Sequence, residues 1–416
     1  MSQKTGEGDG VLGASTLEDA WFATVAGGLL VGLYGTYRVL TDGTVAYGIS
    51  SQFPWGILIS TYEFFLLMGA GIVISVLTLA LVFRVQGAEL VLKRGVMLGI
   101  ASVLAGLFAI TISLGRPERP MIHAVVNANL SSPIWWVVMF AGALVAVLVV
   151  LVGLIERDEY VTSTATRVVG IVGFLVALGV TLGAGYIFGM AEARPYYGGV
   201  FAPLYFLLTG IMSGVALVAF AVVAEFKLTG RRMRAELETF VTRHLSAGLG
   251  VLVGLSLLFA LLKGIYGLTA TSGSTAMAYE RMLLGSFAPV YWGVGIFVGL
   301  VVPLALLVYP RTRTLNGILA SSGAVIVGVF VTRYEFVVGG QAIALVNDPG
   351  LAYPVVSYTP SFVEASLVVF AVSLSAFIYT AALKCSLGVC SFDEVPAFAE
   401  TSVRQCTPHT GGDGDD

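Results

Sequence analysis

Residues 55–83 read WGILISTYEFFLLMGAGIVISVLTLALVF, with a single charge, Glu63, among 29 consecutive residues. A helix needs about 20 apolar residues to cross a bilayer. In hydrocarbon, only helices and closed barrels satisfy every backbone polar group. Barrel strands are shorter and alternate in polarity, so this stretch is a membrane-spanning helix. The same texture recurs along the chain. Spans are expected at roughly 20–40, 55–83, 95–115, 133–155, 164–189, 202–224, 242–265, 286–309, 314–338 and 361–383. The expected fold is therefore all-α, a polytopic bundle of ten transmembrane helices.

Composition agrees. The chain is 57% hydrophobic and 11% charged, with a mean hydropathy of +0.91, whereas soluble proteins carry about 25% charged residues. The net charge of −3 offers nothing to nucleic acid. The 51 glycines suit close helix packing. Gly248, Gly250 and Gly254 lie inside a span and read as packing rather than a phosphate cradle. Residues 1–19 form a polar cytoplasmic segment without the basic start of a cleaved signal peptide. Residues 20–383 are the transmembrane domain, and 384–416 read as a mobile cytoplasmic tail.

Lys and Arg in flanking loops set orientation. Loops after even-numbered spans hold Arg84, Lys93, Arg94, Arg157, Arg167, Lys227, Arg231, Arg232, Arg234, Arg243, Arg311 and Arg313, twelve in all. Loops after odd-numbered spans hold four: Arg116, Arg119, Arg194 and Arg281. Both termini are thus expected in the cytoplasm, with 41–54, 116–132, 190–201, 266–285 and 339–360 outside.

Nearly all charges caught in the spans then belong to the outer half: Glu63, Arg116, Lys263, Arg333, Glu335 and Glu364, with Glu192 and Arg194 just after span 5. Snorkelling to the headgroups accounts for Arg38 and Lys263. It fails for Glu63, which is short and lies about 12–14 Å below the outer end of its helix at 1.5 Å per residue. An ionised acid in the spans costs about 2.5–3.5 kcal/mol, so Glu63 must be protonated, paired or beside a water-filled cavity. Arg333 and Glu335 are two apart and do not face each other on a helix; each calls for a partner on another span. The inner half offers Thr78, Thr166, Ser246 and little acid.

Three histidines, His123, His244 and His409, lie at different levels and cannot share a haem iron. Cys385, Cys390 and Cys406 do not match the four-cysteine cluster patterns and read as reduced thiols. No haem and no iron–sulfur cluster is expected in this chain, and no metal. Asn129-Leu-Ser131 is a glycosylation sequon in an outer loop, a weak signal.

Four stretches carry a resemblance. Pro54-Trp-Gly-Ile-Leu-Ile-Ser-Thr-Tyr-Glu63, followed by Gly69-Ala-Gly71, resembles the opening helix of the polysulfide reductase/NrfD membrane subunits. Leu114-Gly-Arg-Pro117, His123 and Asn129-Leu-Ser-Ser-Pro133 are similar to that family's next motif, with Ser113 where the family usually has Asp. Pro203-Leu-Tyr-Phe-Leu-Leu-Thr-Gly-Ile-Met-Ser-Gly214 resembles a further helix. Arg333-Tyr-Glu-Phe-Val-Val-Gly-Gly-Gln341, with Tyr358-Thr-Pro-Ser361 and Glu364, looks like the end of the ten-span, HybB-like branch. Together they cover about residues 50–370.

The resemblance implies a membrane subunit of a respiratory oxidoreductase in a prokaryotic cell membrane. Such subunits hold no redox cofactor. They bind quinone or quinol near the outer face and exchange two electrons with a docked four-cluster, ferredoxin-like iron–sulfur subunit. That subunit serves a molybdopterin or hydrogenase catalytic subunit. The chain itself would not carry the catalytic centre. Within this reading Glu63 handles the proton. Trp55 and Tyr62 line the ring or belong to an interfacial aromatic belt. His123 bonds a quinone oxygen or is an ordinary loop histidine. Arg116 pairs with Glu63, Glu192, Glu335 or Glu364, or holds the docked partner. Glu192, Arg194, Arg333, Glu335 and Glu364 form a supporting polar cluster, and the loop 192–199 with Arg194, Tyr196 and Tyr197 is a docking surface or a plain interfacial loop. Two other readings stand beside this one: an ion-coupled secondary transporter, for which the polar groups are shallow, and a proton-translocating subunit of a related complex, which needs an inner polar path.

Overall fold

A computed structural model describes residues 14–51, 53–116, 122, 126–156, 163–269, 273–342 and 358–385. The expected N-terminal segment up to residue 13, His123, most of the tail and Cys390, Cys406 and His409 lie outside them. The described residues are helical: α1 Ala14–Asp42, α2 Ile57–Leu81, α3 Ala88–Ser113, α4 Pro133–Ile155, α5 Thr164–Gly189, α6 Phe201–Thr229, α7 Ala235–Leu268, α8 Gly273–Leu283, α9 Pro289–Val308, α10 Leu315–Gly339 and α11 Phe362–Lys384. Nine of them are long and apolar enough to cross a membrane. The tenth expected span, α1, has the length, 29 residues, but Thr36, Arg38, Thr41 and Asp42 dilute its second half. It begins at Ala14, ahead of the expected start at 20, and packs lengthwise against α11.

Small residues set how closely the helices approach. Along α1, a Cβ added at Gly28 or Gly35 would fall 1.9 Å from Ser373 Oγ or 2.1 Å from Ser366 Oγ of α11. At the α2–α6 crossing, a Cβ on Gly71 would lie 1.9 Å from the Gly210 carbonyl oxygen. Gly248, Gly250 and Gly254 make no such approach; Gly248 has nothing within 4 Å. α2 lies at the centre, almost wholly buried. It packs on α3, α5, α6, α10 and α11. α6 joins α2 and α5 to α7 and α10, α9 packs on α10, α11 lies against α3 and α2, and α1 packs on α11. π-helical turns interrupt α2 at Val73–Leu77, α7 at Phe240–Leu245, α9 at Pro289–Val301 and α10 at Glu335–Gly339. Such turns rotate the side chains that follow and are frequent at functional sites.

The described parts of the loops expected outside gather at one end. The Tyr47 hydroxyl donates to the Ile112 carbonyl at 2.6 Å, and the Gly48 N–H to Glu364 at 2.8 Å. Gln341 holds both backbone polar groups of Trp55, accepting from its N–H at 3.0 Å and donating to its carbonyl at 2.7 Å. The opposite end carries a feature the sequence reading lacked. Arg94, expected to flank a loop, is buried and grips Glu225 of α6 through Nε and Nη2 at 2.8 and 3.0 Å, while the Tyr379 hydroxyl of α11 donates to the same carboxylate at 3.2 Å. The end expected to face the cytoplasm therefore does hold a largely buried acid, paired with a bidentate arginine.

Candidate functional site

Glu63 sits two turns into α2, 1% exposed. The charge facing it is Arg333 of α10, also 1% exposed. Arg333 Nη2 donates to Thr209 Oγ1 of α6 at 2.5 Å, and the guanidinium lies 3.9 Å over the Phe206 ring and 5.1 Å from that of Tyr205. Glu63 Oε2 and Arg333 Nη1 nevertheless have no hydrogen-bond partner among the described residues. The Tyr62 hydroxyl lies beside the Glu63 carboxyl although the two are adjacent in sequence. Ser60, one turn before Glu63, is buried with its Oγ unpartnered among the described residues as well. An acid facing an arginine without being locked to it can take up and release a proton, the arginine compensating the carboxylate whenever it is ionised.

Two residues along α10, Glu335 opens the π-turn and faces another neighbour. Its Oε1 accepts from the Tyr196 hydroxyl at 3.0 Å, and Lys263 of α7 is the nearby opposite charge. Lys263 does not snorkel. It is buried, with Nζ 4.0 Å from the Tyr196 ring centroid and 4.7 Å from that of Phe336. It lines a partly open pocket between α6, α7, α9 and α10. Arg333 and Glu335 thus point to different spans because a two-residue step turns a helix by about 200°.

The other sequence candidates separate. Arg116 is exposed just past α3 and does not join Glu63. Glu364 is buried and fully engaged, accepting from the Gly48 N–H, the Ser361 N–H and the Tyr358 hydroxyl at 2.7–2.9 Å. It fastens the α1–α2 connection to the start of α11. Trp55 packs edge-on to Phe188 at 5.3 Å between ring centroids and tilted against Tyr197 at 6.1 Å. Glu192 is exposed, whereas Arg194 is 7% exposed. Burial draws the Arg194 guanidinium below its ordinary range. In the 192–199 loop, Tyr196 and Tyr197 turn inward to Glu335 and to the Val337 carbonyl, while Glu192, Ala193 and Gly199 stay exposed. Burial pushes both hydroxyls upward, so they stay protonated donors. Sequence reasoning missed Thr209, Ser256, Tyr205 and Tyr291. The signal for Lys263 was present: it is the only charge between Ser246 and Leu268.

Long apolar helices around buried acid–base groups near one end define an integral, multi-pass membrane protein. The chain belongs to the polysulphide reductase, NrfD family, whose model matches residues 46–345. It is 23% identical over 393 residues to the C subunit of the selenate reductase of Mesobacillus selenatarsenatis, covering 84% of this chain and 89% of that one. It is 24% identical over 385 residues to the Hdr-like menaquinol oxidoreductase integral membrane subunit of Archaeoglobus fulgidus, covering 88% and 92%. It is 24% identical over 376 residues to the menaquinone reductase integral membrane subunit of Nitratidesulfovibrio vulgaris, covering 83% and 86%.

Proposed function

We propose that this chain is the quinone- or quinol-binding membrane subunit of a respiratory oxidoreductase complex. It exchanges electrons at its outer face with a ferredoxin-like iron–sulfur subunit that serves a molybdopterin or hydrogenase catalytic subunit. The family and the relatives named for menaquinol and menaquinone support the substrate class. The relative named as part of a selenate reductase supports assembly with a catalytic partner.

One observation carries the reading: a fully buried acid, Glu63, with an unpartnered carboxylate oxygen opposite an arginine, at the end where the odd-numbered connections meet. Oxidation of a quinol yields a quinone, two electrons and two protons. The ionised Glu63, its charge compensated by Arg333, takes one proton at Oε2 and must pass it on before it can take the second. The two electrons leave to the iron–sulfur subunit. Thr209 and the Phe206 ring hold Arg333 in place. Exposed Arg116, at the same end, is offered to the docked partner. The loop-charge asymmetry favours this end lying outside the cell membrane, with both termini cytoplasmic.

Purification of the intact complex from native membranes, with identification of its subunits and of bound quinone, tests the assembly. Glu63→Gln tests the site. Quinol turnover should fall by about 10²–10⁴-fold, the usual worth of a general base, while the complex still assembles. Wild-type turnover in Glu63→Gln would remove Glu63 from the mechanism. A chain that purifies alone and without quinone would reject the reading as a whole.

A further inference from the structure

The cavity between α6, α7, α9 and α10 is not the Glu63 centre; neither Glu63 nor Arg333 lines it. Thr209 is the shared wall, lining the cavity while it accepts from Arg333. The rings of Tyr205, Phe259 and Phe336 line it, and so do three buried polar groups: Lys263, Glu335 and Ser256. The Lys263 ammonium rests on ring faces. Ser256 Oγ, on a residue 5% exposed, has no hydrogen-bond partner among the described residues. Aromatic walls with a few convergent polar groups are the make-up of an organic-ligand site.

The flanking surfaces restrict what can enter. Leu258 and Leu262 of α7 and Phe297 of α9 are exposed on the lipid-facing side of the bundle. A ligand arriving there comes from the hydrocarbon. A lipid tail would occupy the space but leave the Ser256 hydroxyl unsatisfied, which is costly in a buried site, and would offer the Lys263 ammonium no oxygen. A flat ring with oxygens on its edge matches both demands, since its faces lie against the aromatic walls and its oxygens accept from Lys263 and Ser256. We propose that this cavity is a second ring-binding site, distinct from the Glu63 centre, for a lipid-soluble quinone or quinol, with Lys263 Nζ and Ser256 Oγ as donors to its oxygens. The identity of the ligand, but not the location of the site, rests on the function proposed above.

The test is photolabelling of the whole complex in lipid nanodiscs with an azido-naphthoquinone, followed by peptide mapping. Adducts are expected in 252–263 and 329–336. Lys263→Met should lower them about tenfold, the worth of one buried hydrogen bond, and leave any adducts in 55–63 unchanged. Ser256→Leu, which fills the space without removing a charge, should do the same and carries the test if Lys263→Met fails to assemble. Adducts confined to 55–63, or adducts at the cavity that neither variant diminishes, would overturn the second site while leaving the proposed function intact. No adduct anywhere would overturn both.

Discussion

Glu63 and Arg333 are far apart in sequence and meet only because α2 and α10 pack together. Each is a buried charge that faces the other as its opposite. Removing one partner of such a pair costs about 3–5 kcal/mol, whereas replacing both with apolar residues is often neutral. Arg333→Leu should therefore lower the thermal stability of the purified protein by that order. Glu63→Leu combined with Arg333→Leu should recover most of it without recovering quinol turnover. A double variant no more stable than the single one would show that the two are not coupled. The depth and the oddity of Glu63 were legible in the sequence, because one acid in a long apolar run has few readings. Its partner was not: Arg116 was the candidate weighed, and Arg333 lay in the same outer half with no signal of which span it would face. Glu364 shows the converse: grouped with the polar cluster by depth, it proves to be a tie between chain segments with three donors of its own.

Elements approach according to where glycines fall on them. The α2–α6 crossing brings Gly71 against the Gly210 backbone with no room for a methyl group. Gly71→Val should destabilise the protein by about 1–3 kcal/mol, the usual cost of overpacking, or prevent assembly. Gly248→Val, where nothing lies within 4 Å, should stay within about 0.5 kcal/mol of wild type. Thermal unfolding in detergent separates the two, and equal effects would reject the crossing as the cause. Glycine-rich composition announced close packing, but not which glycines make it. The π-turn at Glu335–Gly339 was equally invisible, because apolar residues in a span do not reveal an extra residue in a helical turn.

Among the described residues, the buried charges segregate to two ends. The end rich in Glu63, Arg333, Lys263 and Glu335 carries the proposed chemistry. The Arg94–Glu225–Tyr379 knot ties α3, α6 and α11 at the other. In cells whose Cys385, Cys390 and Cys406 are replaced by Ser, a cysteine at Val45, 88% exposed, should react with an impermeant thiol reagent added outside. A cysteine at exposed Arg231 should react only after the membrane is opened. The reverse pattern would invert the orientation and move the docked partner to the cytoplasm. The amino-acid sequence alone determined that the chain is a helical membrane bundle, roughly where its helices lie and how far along its helix Glu63 sits, because position along a helix follows from 1.5 Å of rise per residue. Only the tertiary structure decided which charges face one another, that Lys263 lines a pocket, that Tyr196 and Tyr197 fold inward and that Arg94 is clamped. Those are matters of rotation about each helix axis. In a uniformly apolar span, hydropathy does not fix that rotation; it is set by the small residues through which neighbouring helices make contact.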